Sequence, residues 1–157
     1  MREAKVIINV PGCWHPNYVT RGEEILNTWA KHTKYPVIIS VANQSIQSEY
    51  VKFGNQLHCK VEDTLDFNFT LKRYYFIKWA VETKQEFDFL YIVGDDTFVY
   101  PSKFEALCNE YLTRPDVDYI GEVFPRVTVP VDFLSLQQEF IHPVDRDWET
   151  KVSSPTI

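Results

Sequence analysis

The stretch Phe89-Leu90-Tyr91-Ile92-Val93-Gly94-Asp95-Asp96-Thr97-Phe98-Val99 decides how the chain is read. Residues 87–93 form the most apolar run in the protein, and the run ends abruptly at Gly94-Asp95-Asp96. A short apolar segment bounded by turn residues predicts a buried strand. Two adjacent carboxylates at its end repel each other and lose hydration unless a cation or several donors compensate. Oxygen ligands from one short loop suit Mg²⁺ or Mn²⁺, which keep positions open for water and for the oxygens of a diphosphate. Gly94-Asp95-Asp96-Thr97 is equally good turn chemistry, with both acids simply solvated. The local pattern alone leaves the two readings level.

Upstream of that strand, the apolar spacing of residues 70–83 predicts a helix with a broad aromatic face made of Leu71, Tyr74, Tyr75 and Trp79, with Lys78 and Glu82 alongside. Residues 5–10 open the chain as a buried strand, broken at Pro11-Gly12 and Pro16. Thr20 followed by Glu23 has the form of a capping box, and Ile25, Leu26 and Trp29 fall on one helical face behind it. The β-branched run 37–41 is a second strand. Residues 48–53 read as a weak amphipathic segment, followed by a turn at Gly54-Asn55 and a short strand over 58–61. Downstream of the acids, Ser102 and Glu105 form a second capping-box pattern, and Phe104, Leu107, Cys108 and Tyr111 repeat at helical spacing. A last strand is predicted over 119–124.

Strands alternating with helices predict an α/β domain over residues 1–124, with a mainly parallel, Rossmann-like sheet and ligands at the carboxyl ends of its strands. Asp95 and Asp96 stand at such an end. Residues 125–157 are interrupted by Pro and lose periodicity, and they read as a poorly ordered or incomplete segment.

Composition narrows the partners. The 157 residues carry a formal net charge of −6 and no block of Lys or Arg able to neutralise a run of phosphates, which argues against nucleic acid. An anionic ligand can still bind an acidic protein where a divalent cation stands between them. No stretch reaches the ~20 apolar residues of a membrane span, and the start of the chain leads into a strand rather than a signal-peptide core. Cys13, Cys59 and Cys108 show no metal-binding or disulfide spacing. Asn43-Gln44-Ser45 and Asn68-Phe69-Thr70 are glycosylation triplets that matter only in a secretory lumen.

Four segments, in order, resemble the Fringe-like and β1,3-galactosyltransferase superfamily. Residues 89–99 are similar to its acidic motif. Arg21 through Thr28-Trp29 resembles its Arg-rich helix ending in Thr-Trp. Asn68-Phe69-Thr70-Leu71-Lys72 with the later Trp79 resembles its Asn-Leu-Thr-Leu-Lys segment, and Tyr119-Ile120-Gly121 its Tyr-Ile-Gly strand. The resemblance implies a GT-A fold, a UDP-sugar donor, Mn²⁺ (or Mg²⁺), and inverting transfer of a hexose of the galactose or N-acetylglucosamine class to a hydroxyl of an acceptor glycan. It implies Asp96 as metal ligand and Asp95 as its neighbour, on the metal or on the donor ribose. It further implies Arg21 and Lys72 facing the nucleotide or its phosphates, and a Golgi lumen as compartment. For both cations the alternative is a solvated helix residue.

The departures are specific. Gly94 stands where the family has its first Asp, and nothing over 122–157 matches the family's Gly-rich segment, its acidic general base or its late metal-binding His. Asp132, Asp145 and His142 are the residues that could be offered for those roles, without a motif to support them. The chain therefore reads as the donor-binding half of such an enzyme. The alternative is a non-catalytic nucleotide-sugar-binding or interaction domain of the same descent. A receiver-like phosphoacceptor domain requires its acidic pair after the first strand, where this chain has Asn9-Val10-Pro11-Gly12.

Overall fold

The computed structural model describes residues 2–13, 19–63 and 67–114. Strand β1 (Val6–Pro11) is buried along its whole length, as an apolar run with neighbours on both faces must be. Helix α1 (Arg21–Asn27) passes through Thr28 into a 3-10 turn, Trp29–His32, and then into β2 (Val37–Ala42). Strands β3 (Tyr50–Phe53) and β4 (Gln56–Cys59) form a hairpin, and its turn carries Gly54 at φ +52, a conformation that costs a residue without Cβ little. The long helix α2 (Phe67–Glu82) leads to β5 (Phe89–Ile92), and α3 (Pro101–Tyr111) follows.

The five strands form one sheet in the order β3-β4-β2-β1-β5. β4, β2, β1 and β5 are parallel, and β3 is an antiparallel edge. The expected α/β class with a mainly parallel sheet is therefore present. Alternation along the strands sends side chains to two cores. Val6, Ile8, Val10, Val37, Ile39 and Val41 pack with Ile25, Trp29 and Cys108 beneath α1 and α3. Ile7, Ile38, Leu57 and Cys59 pack with Phe76, Trp79 and Ala80 beneath α2. Trp29 and Trp79 are both buried, one in each core. Gly22 allows α1 to lie close on the sheet, since a Cβ there would sit 3.2 Å from Ile39 Cγ2.

Local details depart from the expectations. Residues 50–53, read as part of an amphipathic segment, are a strand. Neither capping box forms: Thr20 has helical backbone angles and its hydroxyl donates to Glu24, while α3 begins at Pro101 after an extended Tyr100 and Glu105 accepts from Thr33 and Lys34. A proline at the first helical position has no N–H to leave unpaired, so α3 can start without a side-chain cap. Leu107 is exposed although it falls on the predicted apolar face of α3. β5 is half-buried rather than buried, because among the described residues it is an edge with β1 as its single neighbour. The buried stripe of α2 is Lys72, Phe76, Trp79 and Ala80, rotated from the predicted face so that Tyr74 is exposed. The strand predicted over 119–124 and the segment 125–157 lie outside the described residues, as do Asp132, His142 and Asp145.

Candidate functional site

Strand order fixes where chemistry can gather. The chain steps from β1 to β2 to β4 in one direction, then returns over α2 to β5 on the other side of β1. Order reverses between β1 and β5, and in open α/β sheets the crevice at the carboxyl ends of such a pair is the usual ligand site. The carboxyl end of β5 is the acidic turn. Val93 donates its N–H to Asn9 O at 3.0 Å, continuing the pairing with β1, and the chain then turns, with Thr97 N–H donating to Gly94 O at 3.2 Å. Asp95 and Asp96 are the two central residues of that turn.

The two acids have different surroundings. The Asp95 side chain is 15 % exposed, and its Oδ1 accepts from Arg21 Nη1 at 3.2 Å. Arg21 opens α1, so the first crossover helix delivers a cation to the carboxyl end of β5 across 74 positions of sequence. Asp96 is exposed, and Thr97 Oγ1 lies 3.5 Å from its Oδ1. Gly94 is part of this geometry: a Cβ there would stand 2.7 Å from Asp96 Oδ1. The Asp96 carboxylate folds back over the space that a side chain at position 94 would fill.

Lys72 is not joined to either acid. It is 1 % exposed, and its Nζ donates to Gly12 O at 2.6 Å and to Asp63 Oδ1 at 2.6 Å. An ammonium can be buried only with such partners. The second crossover helix thus also brings a cation to the carboxyl edge, here to the residue after β1. Asn9 and Ser40 complete the buried polar residues of this region, with Asn9 Nδ2 donating to Ser40 Oγ at 2.6 Å and to Ile38 O at 3.1 Å.

A cleft of about 80 Å³ opens between α1 and the β1, β2 and β4 part of the sheet, lined by Gly12, Val19, Gly22, Leu26, Val41 and Gln56 among others, with no residue of the acidic turn in its wall. Complete small-molecule pockets run to roughly 300–1,000 Å³, so this cleft can take only a fragment of a ligand. The chain from the turn into α3 exposes Phe98 and Tyr100.

The structure therefore joins Arg21 to Asp95, leaves Asp96 open beside them and seats Lys72 in the fold. Asp63 was not found from sequence and carries no motif that would have shown it. Lys72 had a signal, its spacing to Phe76, Trp79 and Ala80. Among the described residues no group of three or more His, Cys, Asp or Glu could hold a metal ion. A Mg²⁺ or Mn²⁺ held by one or two carboxylates, with waters and phosphate oxygens completing its shell, does not need such a group, and the Asp95-Asp96 turn fits that donor set. No family model, no curated protein and no solved structure matches this chain. Among the described residues no helix is long and apolar enough to cross a membrane.

Proposed function

We propose that this chain is the donor-binding half of a GT-A-type glycosyltransferase, which moves a hexose of the galactose or N-acetylglucosamine class from a UDP-sugar to an acceptor glycan hydroxyl, with inversion and with Mn²⁺ or Mg²⁺. The observation that carries the reading is the acidic turn at the point where strand order reverses, with Arg21 on Asp95 and Asp96 left open. The ordered resemblance of the four sequence segments supplies the donor class. The cleft beside α1 has room for part of the nucleoside, and Arg21 is within reach of a diphosphate that approaches Asp95.

In this reading Asp96 holds the ion, with Asp95 beside it and Arg21 orienting Asp95. The bound ion supplies positive charge against the negative charge that grows on departing UDP. Gly94 keeps the Asp96 carboxylate in its folded-back position. Lys72 keeps the β1 end, at Gly12, tied to residue 63 and thereby holds one wall of the cleft.

Calorimetric titration of UDP with and without Mn²⁺ tests the reading. The gain in affinity that Mn²⁺ confers should be large in the parent, should vanish in Asp96→Asn, and should shrink less in Asp95→Asn, where the carboxylate lost already has a guanidinium partner. Equal affinity without a divalent ion would remove the reading's chemical centre.

A further inference from the structure

We infer that Gln56 is the hydrogen-bond donor that selects a ring carbonyl in the cleft beside α1, and that a relay through His58 and Asn43 holds its amide in that orientation. Leu57 and Cys59 point into the core beneath α2, so alternation along β4 sends Gln56 and His58 to the α1 side, beside their cross-strand partners Ile39 and Val41. Gln56, Ile39 and Val41 all line the cleft. The relay starts from a group that can only donate, the backbone N–H of Ser45, so the Asn43 atom 3.0 Å from it is the carbonyl Oδ1. The Asn43 amide nitrogen therefore faces His58 Nδ1, at 3.0 Å, and that ring nitrogen must accept. The ring proton then sits on Nε2, which donates to Gln56 Oε1 at 3.1 Å. Phe53 stands edge-on against the imidazole, with the centroids 5.3 Å apart, and restrains the ring.

The amide of Gln56 is thereby committed. Its Oε1 is taken by His58, and its Nε2 has no hydrogen-bond partner among the described residues. A free glutamine can turn its amide and present either a donor or an acceptor to a ligand. Locked by the relay, this one presents N–H groups only, which suit a carbonyl and oppose an amino group. Around it the wall is largely apolar or without side chain, at Gly12, Gly22, Leu26 and Val41, and so accepts a flat ring. The identity of that ring rests on the donor reading, which makes it uracil. Uracil carries the acceptor O4 where cytosine carries the donor N4, so the locked amide selects the first against the second. Gly22 in the cleft wall adjoins Arg21, whose guanidinium reaches Asp95, so a single peptide step links the cleft to the ion pair at the acidic turn. Gln56 touches the ring in this arrangement, and His58 and Asn43 are positioning residues behind it.

The test titrates UDP and CDP with Mn²⁺ by calorimetry, and uridine and cytidine without the ion by NMR, into the full chain and its variants. In each pair the uracil ligand should bind the parent about tenfold more tightly, the effect of one hydrogen bond. Gln56→Leu should remove the preference, and Gln56→Glu, which offers acceptors only, should invert it. His58→Phe and Asn43→Ala should each reduce it to about threefold, because a released amide turns to suit either base. A ratio of two ligands on one protein is insensitive to a loss of stability that weakens both. Imidazole ¹⁵N shifts of the parent should place the His58 proton on Nε2. The assignment is overturned if the parent does not distinguish the bases, if the preference survives Gln56→Leu, or if no member of either pair binds. The relay is overturned if the proton sits on Nδ1, or if His58→Phe and Asn43→Ala both keep the parental ratio. Binding of UDP that depends on Mn²⁺ but is no tighter than that of CDP overturns the role of Gln56 and leaves the donor reading standing. Uridine selected through Gln56, with no response of UDP to Mn²⁺, overturns the donor reading alone.

Discussion

Replacing Lys72 with Met separates a structural lysine from a ligand-binding one. The side chain is 1 % exposed and donates two charge-assisted bonds of 2.6 Å, to Gly12 O and Asp63 Oδ1. Hydrogen bonds to charged groups contribute roughly 1.5–3 kcal/mol each, and removing one member of a buried ion pair costs about 3–5 kcal/mol. Two features pull the loss toward the low end. The Asp63 side chain is 18 % exposed, so water can replace part of what it loses, and Met keeps the apolar stem packed. The expected cost is about 3 kcal/mol, or roughly 12 °C in Tm for a domain of this size. Urea unfolding followed by circular dichroism measures it. Asp63→Asn keeps an acceptor oxygen and should lose less, and the double variant should lose less than the sum because both singles remove one interaction. UDP affinity with Mn²⁺, taken well below Tm, should stay far closer to the parent in Lys72→Met than in Asp96→Asn. A Lys72→Met variant of near-parental stability that no longer binds UDP would refute this reasoning and return Lys72 to the donor.

Three further outcomes follow from the packing. Trp29→Ala should cost ~3–5 kcal/mol in chemical unfolding, because the side chain is buried in the core beneath α1 and α3, and a variant within about 1 kcal/mol of the parent would contradict that burial. Burial pushes the thiol of Cys59 up to about 12 and that of Cys108 up to about 11, so in the native protein at pH 8 alkylation with mass-spectrometric readout should modify Cys13 first and reach the other two only on unfolding. The guanidinium of Arg2, bonded to Asp88 at 2.8 and 2.7 Å, holds the Asp88 carboxyl below its ordinary range. A depressed native pKa stabilises above the unfolded value of about 3.9 and the contribution disappears as pH falls through the native one, so the Tm gap between parent and Asp88→Asn should be present at pH 7 and close below about pH 4.

What was legible in the sequence follows from which forces act locally. The β-branched runs at 37–41 and 5–10 are strands because each side chain finds a partner on either face of a parallel sheet, and that requirement is written in the run itself. Trp29 and Trp79 were legible as core for the same reason. The strand at 50–53 was not, because an edge strand with one neighbour tolerates Lys52 and an exposed Phe53, which erases the alternation. The capping boxes failed because Thr20 bonds to Glu24 on its own helix, and Glu105 accepts from Thr33 and Lys34, which are distant in sequence and so invisible to a local pattern. The acidic turn was legible as a turn and as a strand end, but strand order is not encoded in periodicity. Hence neither the reversal between β1 and β5 nor the Arg21–Asp95 pair could be read from the chain. Lys72, expected to face the donor phosphates with a solvated helix residue as the alternative, is 1 % exposed and bonded to Gly12 and Asp63, and its spacing to Phe76 and Ala80 is what marked the buried stripe.

The charge at the turn puts a magnitude on the proposed metal dependence. Asp95 and Asp96 contribute two negative charges and Arg21 one positive, which leaves the turn at a formal −1 before any ligand arrives. A diphosphate brought within ~4 Å of an uncompensated carboxylate meets repulsion of about 4 kcal/mol at an effective dielectric constant near 20. That is about three decades of affinity. Without an ion, UDP should therefore bind on the order of a thousandfold more weakly than with Mn²⁺. The same reasoning predicts a reversal in Asp96→Asn. The variant should lose the response to Mn²⁺, yet its metal-free affinity for UDP should rise above that of the parent, because the repelling charge is gone and Arg21 remains. The apo fold should be unchanged or slightly more stable, since Asn keeps the shape and relieves the carboxylate pair. Titrations of UDP into both proteins under chelation, then with added Mn²⁺, read out all three quantities. If the metal-free affinity of Asp96→Asn does not exceed that of the parent, charge at position 96 is not what UDP encounters, and the ligand does not approach this turn.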